Sequence, residues 1–434
     1  MLKITIKPNN LVLMLILFLS ILPSVYVLSF GMPVLYLLLP IGVLIFFFVL
    51  LGEIGVPKIT KSIILLFILI LIEIFISTLY GTITTIDKFE FPTDSFQYIA
   101  RYLALISFII WFYKGNIKAD TFIKYFLVFL NIAMLIGILQ WIPWPGREFF
   151  IQLYPFRDGS LQLNQLNRDL SGIRMHGFSQ HGTANGGIAT FFFVFAYSVF
   201  KYYKKYKGLS VILMVLAIVT IFASQARAGM LALVFSILLF YIINIYIFKK
   251  SLKPTLYMFF GTTFLFGVVT YLYKSGNNFI VPMVSKWNQL FETEGGGRTE
   301  QALYFFSEIE TPFQFLFGLS KQVINNSVYS YGVEIEPVNI FIQYGAVGFL
   351  LQYSVIVILL IYFLKGMKYL YYNKTIMTLM AASFVGLFSY QVFSIGYYFF
   401  RELRVGLFPW ILMGVAIAVY ERYKNNGGNY EQEN

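Results

Sequence analysis

Residues 171–229 decide how the chain is read. They begin Ser171-Gly-Ile-Arg174-Met-His176-Gly-Phe-Ser-Gln-His181-Gly-Thr-Ala-Asn185, pass through two apolar runs joined by a lysine-rich hinge, and end Ser224-Gln-Ala-Arg227-Ala-Gly229. The runs, 186–202 and 208–224, are each about long enough to cross ~30 Å of hydrocarbon as a helix. The next run, 228–247, follows after a short turn, so the helices on either side are antiparallel neighbours and Arg227 is held at the membrane surface. Both histidines of the chain lie in this stretch.

The same pattern extends outward in both directions. The chain is 59% hydrophobic and 12% charged, about half the charge of a soluble domain. The apolar runs fall at 11–29, 33–51, 62–80, 97–113, 121–142, 186–202, 208–224, 228–247, 254–273, 340–364, 375–398 and 404–420. They predict an all-α polytopic membrane protein of about twelve transmembrane helices. They lack the period-two alternation of a β-barrel. Pro23, Pro40 and Pro409 fall inside these runs and are expected to kink them. Residues 1–424 read as one integral membrane domain, the first run being a membrane helix rather than a cleaved signal peptide. The polar tail 425–434 is expected to be disordered and cytoplasmic.

Charge supplies the orientation. The net charge of +12 invites a nucleic-acid reading, but the basic residues sit in short loops, where they fix topology. With the N-terminus in the cytoplasm, every inner segment is basic, from Lys3 and Lys7 through the Lys201–Lys207 cluster to Arg422 and Lys424. These segments hold 19 of the 32 basic residues, and 18 of the 19 are lysine. Of the 13 outer ones, nine are arginine: Arg101, Arg147, Arg157, Arg168, Arg174, Arg227, Arg298, Arg401 and Arg404. Lysine is enough to retain a loop, whereas arginine adds a planar fork matched to phosphate or carboxylate oxygens. The excess on one face points to an anion site there, against the blander reading of arginines that merely solvate loops or meet lipid headgroups.

Two outer segments are long, 143–185 and 274–339. The second carries Trp287, Phe291, Leu303, Phe305, Phe306, Ile309, Phe313 and Phe315, and is expected to be ordered and to rest on the membrane or the other loop. Among candidate residues, Arg174, His176, His181 and Asn185 stand just before the sixth run. Two histidines without cysteine or clustered carboxylates are a weak zinc signal, and Asp-x-Asp is absent. No metal or cofactor is therefore expected, and arginine is the natural substitute for a divalent ion. With no cysteine in the chain, thiol chemistry and disulfides are excluded. Glu334-Ile-Glu336-Pro337-Val-Asn339 leads into the tenth run and offers a carboxylate as general base toward a sugar hydroxyl, or simply charges that complement a helix N-terminus. Arg401 and Arg404 flank Glu402 before the last run and read equally well as a local ion pair. Glu73 is a carboxylate in mid-run, a hint of transport or helix pairing.

The order of these motifs resembles the O-antigen polymerase/ligase superfamily. The resemblance rests on Arg174-x-x-Gly-Phe…Asn185, Ser224-Gln-Ala-Arg227-Ala, Gly297-Arg298 followed by Pro312…Gly318, and Glu334-x-Glu336…Tyr344-Gly-x-x-Gly348. It covers roughly residues 120–400 and is carried by order and topology more than by any single string. It implies a GT-C-like, metal-independent glycosyl transfer from a polyprenyl-diphosphate-linked oligosaccharide at the outer face of a bacterial cytoplasmic membrane. By that resemblance Arg174, Arg227 and Arg298 bind the diphosphate. Glu336, or else Glu334 or His176, handles the acceptor proton. Arg157, Arg168, His181, Asn185, Asn339, Arg401 and Arg404 contact substrate. Glu334 stands about where ligase relatives have a histidine, which favours a polymerase of repeat units over a ligase. Ala184 replaces the proline usual before the family asparagine. Partners implied are the lipid-linked oligosaccharide, the bilayer, a chain-length regulator and a flippase, with no nucleic acid. A lipid-oligosaccharide flippase is the rival reading.

Overall fold

A computed structural model describes residues 8–27, 30–85, 93–115, 117–155, 174–248, 267–277, 280–281, 284–285, 297–330, 332–397 and 406–425. Helices dominate: α1 (Pro8–Ile21), α2 (Leu39–Leu50), α3 (Lys58–Thr85), α4 (Thr93–Lys114), α5 (Ala119–Trp141), α6 (Arg147–Leu153), α7 (Gly182–Ser198), α8 (Lys207–Ala223) and α9 (Arg227–Phe248). After these come α10 (Arg298–Ser307), α11 (Pro312–Phe317), α12 (Ser320–Asn325), α13 (Glu336–Tyr369), α14 (Lys374–Ser394) and α15 (Leu407–Asn425). Seven of them, α3, α4, α5, α7, α9, α13 and α14, are long and apolar enough to cross a membrane. Three apolar helices are shorter: α1, α8, and α2 taken with the 3-10 turn that precedes it. The chain is thus a multi-pass helical membrane protein. The expected run 254–273 lies largely outside the described residues, as does the tail beyond Asn425.

The first run departs from expectation. Its helix ends at Ile21, and β1 (Ser24–Val27) pairs antiparallel with β2 (Phe30–Pro33), with Tyr26 opposite Gly31. Pro23 is the reason: it has no N–H to continue a helix, and Val25, Tyr26 and Val27 after it are strand-prone. The three prolines stand at or beyond α-helix ends and not in α-helix interiors. Pro23 lies past a helix end, Pro40 is in the first turn of α2, and Pro409 is the third residue of α15. In a first turn the missing donor has no intrahelical partner to lose.

The bundle centres on α7 and α14, the most enclosed of the long helices, while α9 and α13 present more of their length outward. Small residues let the central backbones approach, as lipid-embedded helices require. A Cβ on Gly186 of α7 would overlap that of Ala226, and one on Gly229 of α9 would lie 2.9 Å from the Gly186 carbonyl oxygen. Thr190 donates to the Gly229 carbonyl at 3.0 Å and Ser198 to Thr378 at 2.8 Å, tying α7 to α9 and α14. Phe126 and Phe192 pack against Phe408 of α15, and Phe195 against Phe126.

α13 is broken. Gly345 has φ 65° and ψ −169°, and the segment joining α11 to α12 slots into the gap. Leu319 N–H donates to the Ile342 carbonyl at 2.8 Å, and Ser77 of α3 donates to the Gln343 carbonyl at 2.9 Å. These bonds satisfy carbonyls that the break removes from the helical ladder, without which irregular backbone at membrane depth would be costly. Near the break, Glu73 of α3 faces Gly348. The carboxylate is buried and neither of its oxygens is hydrogen-bonded. The long loop before α13 is ordered where described and has its own small core of Phe305, Leu319, Ile324, Val333 and Ile342. Trp287 and Phe291 lie outside the described residues.

Candidate active site

The segment 174–181 is pinned to the α8–α9 turn. Met175 N–H donates to the Ala223 carbonyl at 3.0 Å, and the Ser224 hydroxyl donates to the Met175 carbonyl at 3.1 Å. Asn185, fully buried one turn into α7, donates from Nδ2 to the Ser224 hydroxyl at 3.2 Å. Gly177 adopts φ 58°, and a Cβ there would overlap the Asn185 amide. The Asn185 side chain thus knits the loop to the turn from inside.

Arg174 lies across that junction. Its Nε donates to the Ser224 carbonyl and its Nη2 to the Thr183 hydroxyl, both at 3.0 Å. Gly182 leaves room for it, since a Cβ would lie 3.3 Å from the Arg174 Nε. Arg227 opens α9 two residues after Gln225, a non-glycine residue at φ 50° that turns the chain between α8 and α9. Arg298 opens α10 behind Gly297 at φ 79°. Its Nε and Nη2 both donate to Oε2 of Glu334, at 3.1 and 2.7 Å, and Nη2 also donates to the Gly396 carbonyl at 3.2 Å.

Electrostatics link the three guanidinium groups. Burial, with Arg227 beside it, lowers the Arg174 pKa, and Tyr397 acts in the opposite direction. Arg298 in turn acts on Arg227. An arginine so placed remains charged at neutral pH. Arg174, Arg227 and Arg298, 124 residues apart in sequence at the extremes, thus share one positive region, with Glu334 as the carboxylate in contact with it. Such a region can hold a multiply charged oxyanion and stabilise charge that develops on it.

His176 is buried and held to a pKa of about 4, first by desolvation and then by Arg174, His181 and Arg147. Arg147 of α6 joins the positive surroundings of this loop while donating from Nε to the Gln140 carbonyl at 2.8 Å. His181 is the N-cap of α7, its Nδ1 accepting the Ala184 N–H at 3.4 Å. Tyr397, just after α14, places its hydroxyl 2.9 Å from the same Nδ1.

Glu336 is buried in the first turn of α13, where it acts electrostatically on Tyr353. Asn339 accepts the Val333 N–H at 3.3 Å and so braces its own loop. Arg157, Arg168, Arg401 and Arg404 lie outside the described residues. Among the described residues no group of three histidine or carboxylate side chains comes together to hold a metal ion. Tyr397 and Thr183 carry no sequence signal of their own, and Ser224 figured only as part of the motif that leads to Arg227. Tyr397 in particular reads as one more aromatic at a helix end.

No protein-family model and no curated protein matches this chain. What the helices establish is a multi-pass membrane protein, and the function has to be argued from the site.

Proposed function

We propose that this protein is a metal-independent, inverting glycosyltransferase of the O-antigen polymerase type. It joins undecaprenyl-diphosphate-linked oligosaccharide repeat units into a surface polysaccharide at the outer face of the cytoplasmic membrane. One observation carries the proposal: three arginines from separate elements share one positive region, and a carboxylate touches one of them. In this reading the seven long helices are completed to a GT-C-like bundle of about twelve crossings by α1, α2, α8, α15 and the run 254–273. Both termini are cytoplasmic.

Arg174, Arg227 and Arg298 grip the diphosphate and stabilise the charge it gains on leaving the anomeric carbon. The acceptor hydroxyl oxygen bonds to that carbon as the carbon–oxygen bond to the diphosphate breaks, and a single displacement inverts the centre. The hydroxyl proton passes to a carboxylate. Glu334 is favoured over Glu336 because it already contacts Arg298. An arriving diphosphate competes for that guanidinium and releases Glu334 beside the reacting centre. His176 is disfavoured because taking a proton would make it a buried cation, which burial and then Arg174, His181 and Arg147 oppose, whereas a carboxylate is neutralised by the same proton. Transfer to a different acceptor, as in the ligases, would use the same groups.

The flippase reading draws on Glu73, buried and without a hydrogen bond near the broken α13, because intramembrane carboxylates and discontinuous helices are common in transporters. Proteoliposomes loaded with labelled lipid-linked repeat units separate the two. Glycosidic bond formation without translocation supports the polymerase, and translocation without bond formation overturns it.

A further inference from the structure

We propose that Tyr397 is a positioning residue that locks His181 as a hydrogen-bond donor to the diphosphate, so that His181 serves as an anion contact and not as a base. This rests on the diphosphate reading of the site.

The argument begins with the helix cap. A backbone N–H can only donate, so the Ala184 N–H that reaches Nδ1 of His181 requires a lone pair on that nitrogen. The Tyr397 hydroxyl, 2.9 Å from the same Nδ1, must then be a donor as well. A neutral imidazole with a bare Nδ1 carries its proton on Nε2. The two rings stack at 5.0 Å with 17° between their planes, which restrains the imidazole from turning over. Serine, threonine, asparagine or aspartate would cap α7 at least as well. What histidine adds is a second nitrogen on the opposite side of the ring from the cap.

The surroundings fit an anion. His181 stands at the N-terminal end of α7, where the helix dipole favours negative charge. The neighbouring Thr183 hydroxyl accepts from Arg174, and Tyr397 is within electrostatic reach of the same guanidinium. Gly396, next to Tyr397, accepts from Arg298 through its carbonyl. Residues 396 and 397 thus connect two of the three arginines to the imidazole. Protonating Nδ1 would break the bond from the Ala184 N–H and turn the Tyr397 hydroxyl into an acceptor, so both donors are kept only while the ring is neutral with the proton on Nε2.

The chain has two histidines, which makes the tautomer directly measurable. In protein labelled with 15N-histidine and reconstituted in lipid bilayers, solid-state NMR should show His181 with bare Nδ1 and protonated Nε2. Assignment uses His176→Gln, or His181→Asn by subtraction if the first variant folds poorly. Tyr397→Phe keeps the ring stack but leaves only the long 3.4 Å contact from the Ala184 N–H to hold Nδ1 bare, and should give a mixture of tautomers. A protonated Nδ1 in the unaltered protein, or no change in Tyr397→Phe, overturns the proposal.

Binding of inorganic diphosphate to the full-length protein in nanodiscs supplies the second arm. His181→Asn keeps a good cap but removes the ring nitrogen, and should weaken binding about tenfold. Tyr397→Phe should weaken it about threefold, the smaller effect of disordering a donor rather than deleting it. If Arg227→Ala weakens binding and His181→Asn does not, this inference fails while the diphosphate reading stands. If Arg227→Ala leaves binding unchanged, the diphosphate reading itself fails.

Discussion

Arg298 donates two hydrogen bonds to one oxygen of Glu334, from Nε at 3.1 Å and from Nη2 at 2.7 Å, although the partners are 36 residues apart. Glu334 is half-exposed, at 52% of its side-chain surface, and ion pairs this accessible contribute little to stability. Glu334→Gln is therefore expected to change stability by less than about 1 kcal/mol while lowering polymer formation roughly a hundredfold or more. Thermal unfolding in detergent and product length on gels read the two effects. A loss of stability that parallels the loss of product would make the pair structural.

Arg174 differs from Arg298 in having neutral partners, the Ser224 carbonyl and the Thr183 hydroxyl. Lysine lacks the planar fork needed to reach both. Arg174→Lys should insert normally yet lose activity by roughly a hundredfold, on the scale of an anion-stabilising donor. Wild-type product from this variant would mean that charge alone is required at this position.

His176 predicts an acid limit. Its pKa of about 4 lies below the ordinary histidine value of 6.5, so the folded protein resists protonation that the unfolded chain accepts. Above about pH 6.5 both states are neutral and the residue contributes no pH dependence. As pH falls from there toward about 4, stability declines, by a total on the order of 3 kcal/mol. His176→Gln should flatten the melting temperature over that window. An unchanged slope in the variant would assign the acid sensitivity elsewhere.

The break in α13 makes a graded prediction about glycines. At Gly345 a Cβ would overlap the Leu316 carbonyl, and φ is 65°. Gly345→Ala should cost roughly 2–5 kcal/mol, the left-handed strain plus overpacking. Gly52 has φ 80° with nothing within 4 Å of an added Cβ, so Gly52→Ala should cost only about 1–2 kcal/mol. Equal shifts in the two melting temperatures would show that the interlocked segment is not tightly packed.

Sequence and structure agree where local physics dominates. The apolar runs mark most helices because the length needed to cross hydrocarbon leaves few alternatives. Arg174 and Arg227 were legible as lying at one end of the bundle because they bracket two apolar runs joined by a short lysine-rich hinge. The pairing of Arg298 with Glu334 was not legible, since the long loop that carries both folds around a small core in which Phe305, Leu319, Ile324 and Val333 meet Ile342 of α13. Nor was the break at Gly345: Tyr344-Gly-Ala-Val-Gly348 reads as an uninterrupted apolar helix, and the segment that fills the gap, around Gly318, comes much earlier in the chain. The prolines misled for a related reason. Their effect depends on position within a helix, and helix ends are the least certain part of any reading from periodicity.

The glycine contact between α7 and α9 has a mechanical consequence. Gly186 and Gly229 bring main chain against main chain, leaving no side chain that could change rotamer and let the two helices slide. In the proposed reaction the Arg174 and Arg227 ends would form the fixed jaw of a vice, and Arg298, fastened through a carboxylate that another anion can displace, would form the adjustable one.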